Sequence, residues 1–409
     1  MSKPLRIVDL TNGWAGPLGT CLMADFGAEV IKVESPSHMD WWRGAGLQGT
    51  ADGPKLYEAS PTFNTVNRNK YGIALELTHP RGRELFHELV RVSDVLVANY
   101  PLRSLRKLGI DFQALSAVNP KLVMVTLPAF GSSGPDSEYV GFGCTTEAMA
   151  GITGVSGYAD GPPQMLSNAI GDPGTALNGC FATLVGLFER DRRGAGVSID
   201  LSHVEGLLPM NAEALLDYTI NGVVQGRRDN RHPTMAPHGC YPCKGDDEWL
   251  MITIASDSQW EKFCQALGNP TWTQREQFAT AAGRKAAEDE LDRHIAEWTK
   301  THDHYEAMEL LQNAGVAAGA VISGLEVLSD AHLSTREFLL PIDKAEAGTH
   351  LYPGFIPRFS PDASILERPA PCFGEHNDYV FGKILGLPPQ EVETLVRERI
   401  ISKEPIFPA

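Results

Sequence analysis

The sequence lacks any apolar run approaching the roughly 20 residues needed to cross a bilayer, so a membrane-embedded function is not expected. It also lacks an excess of positive charge. Lys plus Arg number 35 and Asp plus Glu 51, a net charge of −16. A chain this acidic suits neither nucleic acid nor an anionic membrane surface, although a local basic patch can still hold a small anion. A disulfide framework is missing too: the seven cysteines (Cys21, Cys144, Cys180, Cys240, Cys243, Cys264 and Cys372) are odd in number and scattered, which fits reduced thiols. Cys240-Tyr-Pro-Cys243 is formally a C-x-x-C, but it leads into Asp246-Asp247-Glu248 and then a strand, not into a helix N-terminus that would lower a thiol pKa. No second pair completes a zinc site, so no metal is expected. The turn after the first strand does not carry the dinucleotide fingerprint G-x-G-x-x-G either; Gly13, Gly16 and Gly19 read G-x-x-G-x-x-G with Pro17 inserted, and Glu34 is the one acidic candidate downstream. A tight strand-to-helix turn accounts for that spacing. No internal repeat or low-complexity tract occurs, and the N-terminus runs straight into a strand pattern without a secretory apolar stretch. The expectation is a soluble cytoplasmic protein.

What is present is enough apolar material for a sizeable core: 409 residues, 43% hydrophobic. Leu5–Leu10, Val30–Val33, Val95–Ala98 and Leu122–Leu127 read as short, largely apolar strands, and Val197–Leu201 as a further strand. Helical patterns alternate with them, among them Pro80–Val92, with Leu85, Phe86, Leu89 and Val90 as the buried stripe. This β-α-β alternation predicts an α/β fold, a parallel sheet covered by helices on both faces. Thr126–Pro173 is rich in Gly, Pro and Ser, an irregular stretch of a length that is uncommon without a function. A helix is predicted from about Asp172 to Arg190, with Ala176, Leu177, Cys180, Leu184, Leu187 and Phe188 on its buried face, and another over His203–Gly222. The polar stretch near Gly226–Pro233 reads as a linker into a second, smaller α+β domain.

Three features carry chemistry. Two turns concentrate basic residues, Asn67-Arg-Asn-Lys70 and Asn99-Tyr-Pro-Leu-Arg103-Ser-Leu-Arg106-Lys107, next to sheet strands where α/β folds bind ligands. Asp172, followed by Pro173 and the long helix, reads either as an N-cap or as a carboxylate held ionised by the helix amides, the form a nucleophile needs. Trp14, Trp41 and Trp42 gather rings near the first turn, with Arg43 beside them.

In this order the pieces resemble the class III CoA-transferases, a family that includes formyl-CoA:oxalate and carnitine CoA-transferases and the related α-methylacyl-CoA racemases. The resemblance runs through Ala15-Gly-Pro17, Leu22–Glu34, Asn67–Lys70, Leu75-Glu-Leu77, Asp94–Asn99, Leu108-Gly109, Phe130-Gly131, Gly134-Pro135, Asp160–Pro163, Asp172 and Pro371–His376. It implies a Rossmann-like large domain, 1–225, completed by a returning segment 341–409, and a small domain with linkers, 226–340, in an interlocked homodimer. It implies Asp172 as the catalytic carboxylate. Trp14 and Ala15 then lie beside the thioester; Leu75, Thr78, Asn99, Tyr100, Pro101 and Lys107 hold the nucleotide and pantetheine; and Val140 and Phe142, just before Gly143, line the CoA tunnel. The implied partners are an acyl-CoA and a free carboxylic acid, with coenzyme A as substrate and no permanently bound cofactor. Departures matter. Ser35 stands where the formyl-CoA enzyme has an arginine, leaving Arg43 as a replacement or as a holder of a second substrate carboxylate, and the glycine-rich lid is absent. The histidine that racemases carry in a Gly-His-Asp sequence is replaced by Gly141-Phe142-Gly143, which leaves Asp172 without an obvious second base. The expected reaction is therefore CoA transfer to or from an aromatic or dicarboxylic acyl group. The alternatives are a racemase and a non-catalytic subunit of a heteromer with a paralogue.

Overall fold

The computed structural model describes residues 4–44, 55–166, 168–360 and 368–406. Six strands, β1 Arg6–Leu10, β2 Glu29–Glu34, β3 Tyr71–Ala74, β4 Val95–Ala98, β5 Val123–Thr126 and β6 Val197–Asp200, form one sheet in the order β3-β2-β1-β4-β5-β6. Every pairing is parallel. The expected parallel sheet is thus present, with β3 as a strand the pattern reading did not delimit. Its strands alternate between two cores. Val8, Leu10, Ile31, Val33, Leu96 and Met124 pack with Leu85, Phe86 and Leu89 of the helix Pro80–Arg91, and with Phe381, Leu395 and Ile400 of the C-terminal segment. Ile7, Val30, Val95, Val97 and Val123 face the other way, onto Met23, Ala24 and Cys180. Burial on both faces is why these strands read as apolar runs without alternation.

The order reverses between β1 and β4. From β1 the chain moves outward through β2 and β3, and then returns to the opposite side of β1 for β4 to β6. Loops leaving the carboxyl ends of β1 and β4 therefore diverge, and the crevice between them is where open parallel sheets bind ligands.

Two helices close this end. α1, Ala15–Asp25, follows β1 directly. α2, Gly171–Arg193, is the long helix; of the predicted face Ala176 and Cys180 are buried and Leu187 packs on the core, but Leu177, Leu184 and Phe188 are not. Its buried residues are small: Gly171, Gly174, Thr175, Ala176, Gly179, Cys180, Thr183 and Gly186. Leu177, Phe181, Leu184 and Phe188 point outward and are exposed. The reason is close approach: a methyl on Gly19 of α1 would lie 2.9 Å from the Ala176 carbonyl oxygen, and one on Gly186 would lie 2.7 Å from Ile199 and Val123. Large side chains do not fit on that face. The predicted helix His203–Gly222 is also divided. It runs as His203–Leu207, a 3₁₀ turn Leu208–Asn211, and Ala212–Asn221. Pro209 brings no N–H to the helical ladder at the break.

The chain forms two compact units, one of residues 1–154, 165–225 and 337–409 and the other of 155–164 and 226–336. In the second, β7 His238–Pro242, β8 Trp249–Thr253 and β9 Ala317–Val321 make an antiparallel sheet. Leu250, Ile252, Trp260, Phe263, Leu291, Ile295 and Leu311 fill its core. All seven cysteines are free, and burial raises the thiol pKa values of Cys240 and, to about 11, Cys243. Both sulfurs are thus held in the unreactive thiol form. Glu248, His304 and Glu326 cluster here: the two carboxylates face different ring nitrogens, 2.5 and 3.2 Å away, and one ligand atom of each residue lies within 4.8 Å of the others.

Candidate active site

The crevice at the sheet reversal holds a cavity of about 250 Å³. Asn12–Ala15 after β1, Asn99–Pro101 after β4, and Leu127–Ala129 after β5 form its floor. Trp41, Trp42, Ser137, Tyr139, Val140, Gly141, Phe142, Asp172 and His203 complete the lining. Of the residues singled out in the sequence, Trp14, Ala15, Asn99, Tyr100, Pro101, Val140, Phe142 and Asp172 meet here. Leu75, Thr78 and again Tyr100 line a neighbouring cavity of about 160 Å³, so Tyr100 borders both. Lys107 lines neither cavity; it is exposed on the helix Leu102–Leu108, whose Ser104, Leu105 and Leu108 face the smaller one.

The floor is fastened across strands. The Asn99 amide accepts from the Asn12 N–H at 3.0 Å and donates to the Asn12 carbonyl at 2.7 Å, which ties the ends of β1 and β4 together. Gly13 takes φ +76°, and a side chain there would meet the Trp41 ring at 2.9 Å, so glycine is required on both counts. Asp40 fixes the rings beside it by accepting from the Gly13 and Trp42 N–H groups, each at 3.0 Å. Trp14 and Trp42 lie with centroids 5.5 Å apart, and the Trp41 ring meets Phe142 edge-on at 6.1 Å.

Asp172 is the second residue of α2, with Ile170 as the N-cap, so the capping reading is corrected. One of its carboxylate oxygens abuts Gly143, whose backbone N–H favours the ionised form. Burial raises its pKa to about 6; the Gly143 N–H opposes that shift, and the charge of buried Glu147 adds to it. Desolvation therefore outweighs the helix amides, contrary to the expectation of an easily ionised carboxylate. The Gly174 N–H, the nearest amide after Pro173, bonds the Ile170 carbonyl at 2.9 Å and is engaged in the helix.

His203 was not singled out, because nothing in its local sequence marks it. Its Nδ1 lies 4.0 Å from Asp172 Oδ1 and its Nε2 3.1 Å from the Leu127 carbonyl oxygen. Asp172 thus does have a titratable neighbour, which corrects the expectation of none. Burial pushes the imidazole down to about 4, partly opposed by the Leu127 bond, so it is neutral near pH 7.

Two other expectations fail. Arg43 is fully buried and cannot reach a substrate: its Nε and one NH₂ grip Glu34 at 2.9 and 2.8 Å, and the other NH₂ takes Glu58 at 2.7 Å. The turn Asn67–Lys70 is buried too, with Lys70 bonded to Asp9 at 2.9 Å and Arg68 to Asp25 at 2.5 Å. These cations are core ion pairs. In the second basic turn, Arg103 and Arg106 remain largely exposed.

A family model described as CoA-transferase family III matches residues 3–377. The succinyl-CoA--D-citramalate CoA-transferase of Chloroflexus aurantiacus is 32% identical over 397 residues, 97% of each chain. The succinyl-CoA--L-malate CoA-transferase beta subunit of the same organism is 29% identical over 400 residues, again 97% of each. Among solved structures, a CAIB/BAIF family protein from Brucella suis superposes with a TM-score of 0.83 at 29% identity, covering 93% of this chain and 98% of that one.

Proposed function

The chain belongs to CoA-transferase family III, and from that premise we propose that it moves CoA between an acyl-CoA and a free carboxylic acid through a thioester on Asp172. The observation that carries this reading is Asp172 itself: a carboxylate bordering the crevice beside Gly143 and desolvated enough that its pKa is raised to about 6. An Asp172 oxygen attacks the thioester carbon and the C–S bond breaks, giving an acyl-aspartyl anhydride and CoA thiolate. The thiolate attacks the Asp172 acyl carbon and releases the donor acid as its carboxylate. The acceptor carboxylate then attacks the aspartyl thioester, and the two steps run backwards. No atom changes oxidation state in these steps, so no redox cofactor is required. Ala15 borders the same cavity at the first position of α1, where an N–H has no acceptor within its helix, and it is the donor to the developing oxyanion.

The CoA arm follows the two cavities that share Tyr100: the nucleotide and pantetheine run along Leu75, Thr78, Asn99, Tyr100 and Pro101 under Lys107, and the thioester end lies between Val140, Phe142, Trp14 and Ala15. For the acyl group, Trp14, Trp41, Trp42 and Phe142 favour an aromatic acid, since the described lining holds no lysine or arginine. A dicarboxylic acid is the second choice, supported by the citramalate and malate in the names of two relatives. The outward Leu177, Phe181, Leu184 and Phe188 support an interlocked homodimer. The beta-subunit relative supports pairing with a paralogue instead. Racemisation through two bases on opposite faces of a carbon is disfavoured, because Asp172 and His203 face each other at 4.0 Å.

Asp172→Asn tests the reading: it should abolish CoA exchange while acyl-CoA still binds. With active enzyme, acyl-CoA and hydroxylamine should convert Asp172 to a hydroxamate, about 15 Da heavier from replacing OH by NHOH at an activated carboxyl. Modification of another carboxylate would move the role there. A panel of donor and acceptor acids read by mass spectrometry would name the acid pair and decide between aromatic and dicarboxylic groups.

A further inference from the structure

We propose that His203 is a positioning residue for Asp172: its neutral ring turns an acceptor nitrogen towards the carboxylate and so leaves one oxygen without a hydrogen-bond donor, free to attack. The inference rests on the reading of Asp172 as nucleophile.

The argument begins with the tautomer. A carbonyl oxygen only accepts, so the 3.1 Å contact between Nε2 and Leu127 O puts the ring proton on Nε2. Nδ1 then carries a lone pair. It is buried without a hydrogen-bond partner, in a residue only 8% exposed, and lies 4.0 Å from Asp172 Oδ1. The backbone secures this aim, because the His203 N–H donates to the Pro128 carbonyl at 3.2 Å. The charged groups packed around the ring are Asp172 from α2 and, behind it, Glu147 of the helix Gly143–Met149, whose Oε1 accepts from the Gly171 N–H at 3.1 Å. No cation faces it among the described residues, so the imidazole has nothing to gain by charging except from Asp172 itself.

The two oxygens of Asp172 consequently differ. Oδ2 is beside Gly143, whose backbone N–H favours the ionised carboxylate. Oδ1 faces a nitrogen that cannot donate. A carboxylate oxygen that meets no donor is a stronger nucleophile than one stabilised by a charge-assisted bond. When Asp172 is protonated, its O–H can close onto Nδ1, so His203 also gives the idle enzyme a place for that proton.

Asparagine and glutamine separate this role from a structural one, since each mimics one ring nitrogen. His203→Asn puts an amide near Nδ1 and turns an N–H towards Asp172; kcat should fall about tenfold or more, KM for acyl-CoA should hold, and the acid limb of the pH profile should move down from near 6. His203→Gln puts its amide near Nε2, keeps the Leu127 bond, and offers Asp172 no donor; it should stay within a few-fold of the parent with an unmoved acid limb. If both variants lose activity in step with their Tm, or if His203→Asn keeps the parental kcat, the inference fails. Spectra of the ¹⁵N-histidine-labelled parent enzyme supply a test that needs no variant to fold: an Nε2–H neutral ring at pH 7 is expected, and an Nδ1–H ring or an imidazolium overturns it. Asp172→Asn assayed alongside separates the two claims. Exchange activity in that variant removes the nucleophile reading and this inference with it, whereas an inactive Asp172→Asn beside an unaffected His203→Asn removes this inference alone.

Discussion

At the scale of single residues, Asp172 trades stability for reactivity. Its pKa is raised from 3.8 to about 6, so the folded state prefers the neutral acid. The stabilising contribution is complete below pH 3.8 and is lost as pH rises through 6; above that, the ionised carboxylate costs up to about 3 kcal/mol. Asp172→Asn should therefore raise Tm at pH 7 to 8 while abolishing exchange, and the gain should vanish near pH 4. A purely structural Asp172 would show the opposite, unchanged activity with no gain in Tm. Arg43 is the contrasting residue. It holds Glu34 and Glu58 in the core, and Arg43→Ala leaves both without their cation. The expected cost is about 3–5 kcal/mol, read as a loss of Tm or of soluble protein, with KM for acyl-CoA unchanged in whatever folds. A raised KM at full stability would restore the substrate role that its burial rules out.

At the scale of elements, the helix Leu102–Leu108 and α2 carry the next tests. The first faces the smaller cavity through Ser104, Leu105 and Leu108 and leaves Lys107 in solvent at its last turn. On the proposed path for CoA, Lys107→Ala should raise KM for acyl-CoA several-fold with a smaller change in kcat, and the difference should shrink with added salt. A fall in kcat at constant KM would place CoA elsewhere. α2 has two unlike faces. Its inner stripe of small residues permits the 2.9 Å approach at Gly19, and its outer stripe of Leu177, Phe181, Leu184 and Phe188 lies open in the single chain. Pattern reading joined Leu177, Leu184 and Phe188 to the inner set, because a hydrophobic side chain carries no mark of which body it will pack against.

At the scale of the whole molecule, that outer stripe asks for cover. Four large apolar side chains on one helix are a face of the kind that subunit interfaces bury. Sedimentation of the full-length chain should give twice the monomer mass of 44.5 kDa at micromolar concentration. Phe181→Lys with Phe188→Lys should shift it towards monomer or aggregate and lower activity with it. A monomer with full activity would defeat the dimer proposal, and activity that appears only after a paralogue is added would turn it into a heteromer.

The parallel sheet, the strands β1, β2, β4, β5 and β6, and the segment containing Asp172 are legible in the sequence, since short strand patterns between helical ones and a Gly- and Pro-rich stretch are local signals. The sequence also pointed to Trp14, Asn99, Tyr100 and Phe142, through motif order. Which charges are available depends on packing. Arg43, Arg68 and Lys70 are indistinguishable in sequence from surface cations, and only their burial against Glu34, Glu58, Asp25 and Asp9 removes them from any site. His203 was invisible for the converse reason. It lies 31 positions from Asp172, and they meet only because α2 and the helix His203–Leu207 pack side by side over the end of β5. Distance along the chain says nothing about distance through a core, and a carboxylate's basicity is set by the latter.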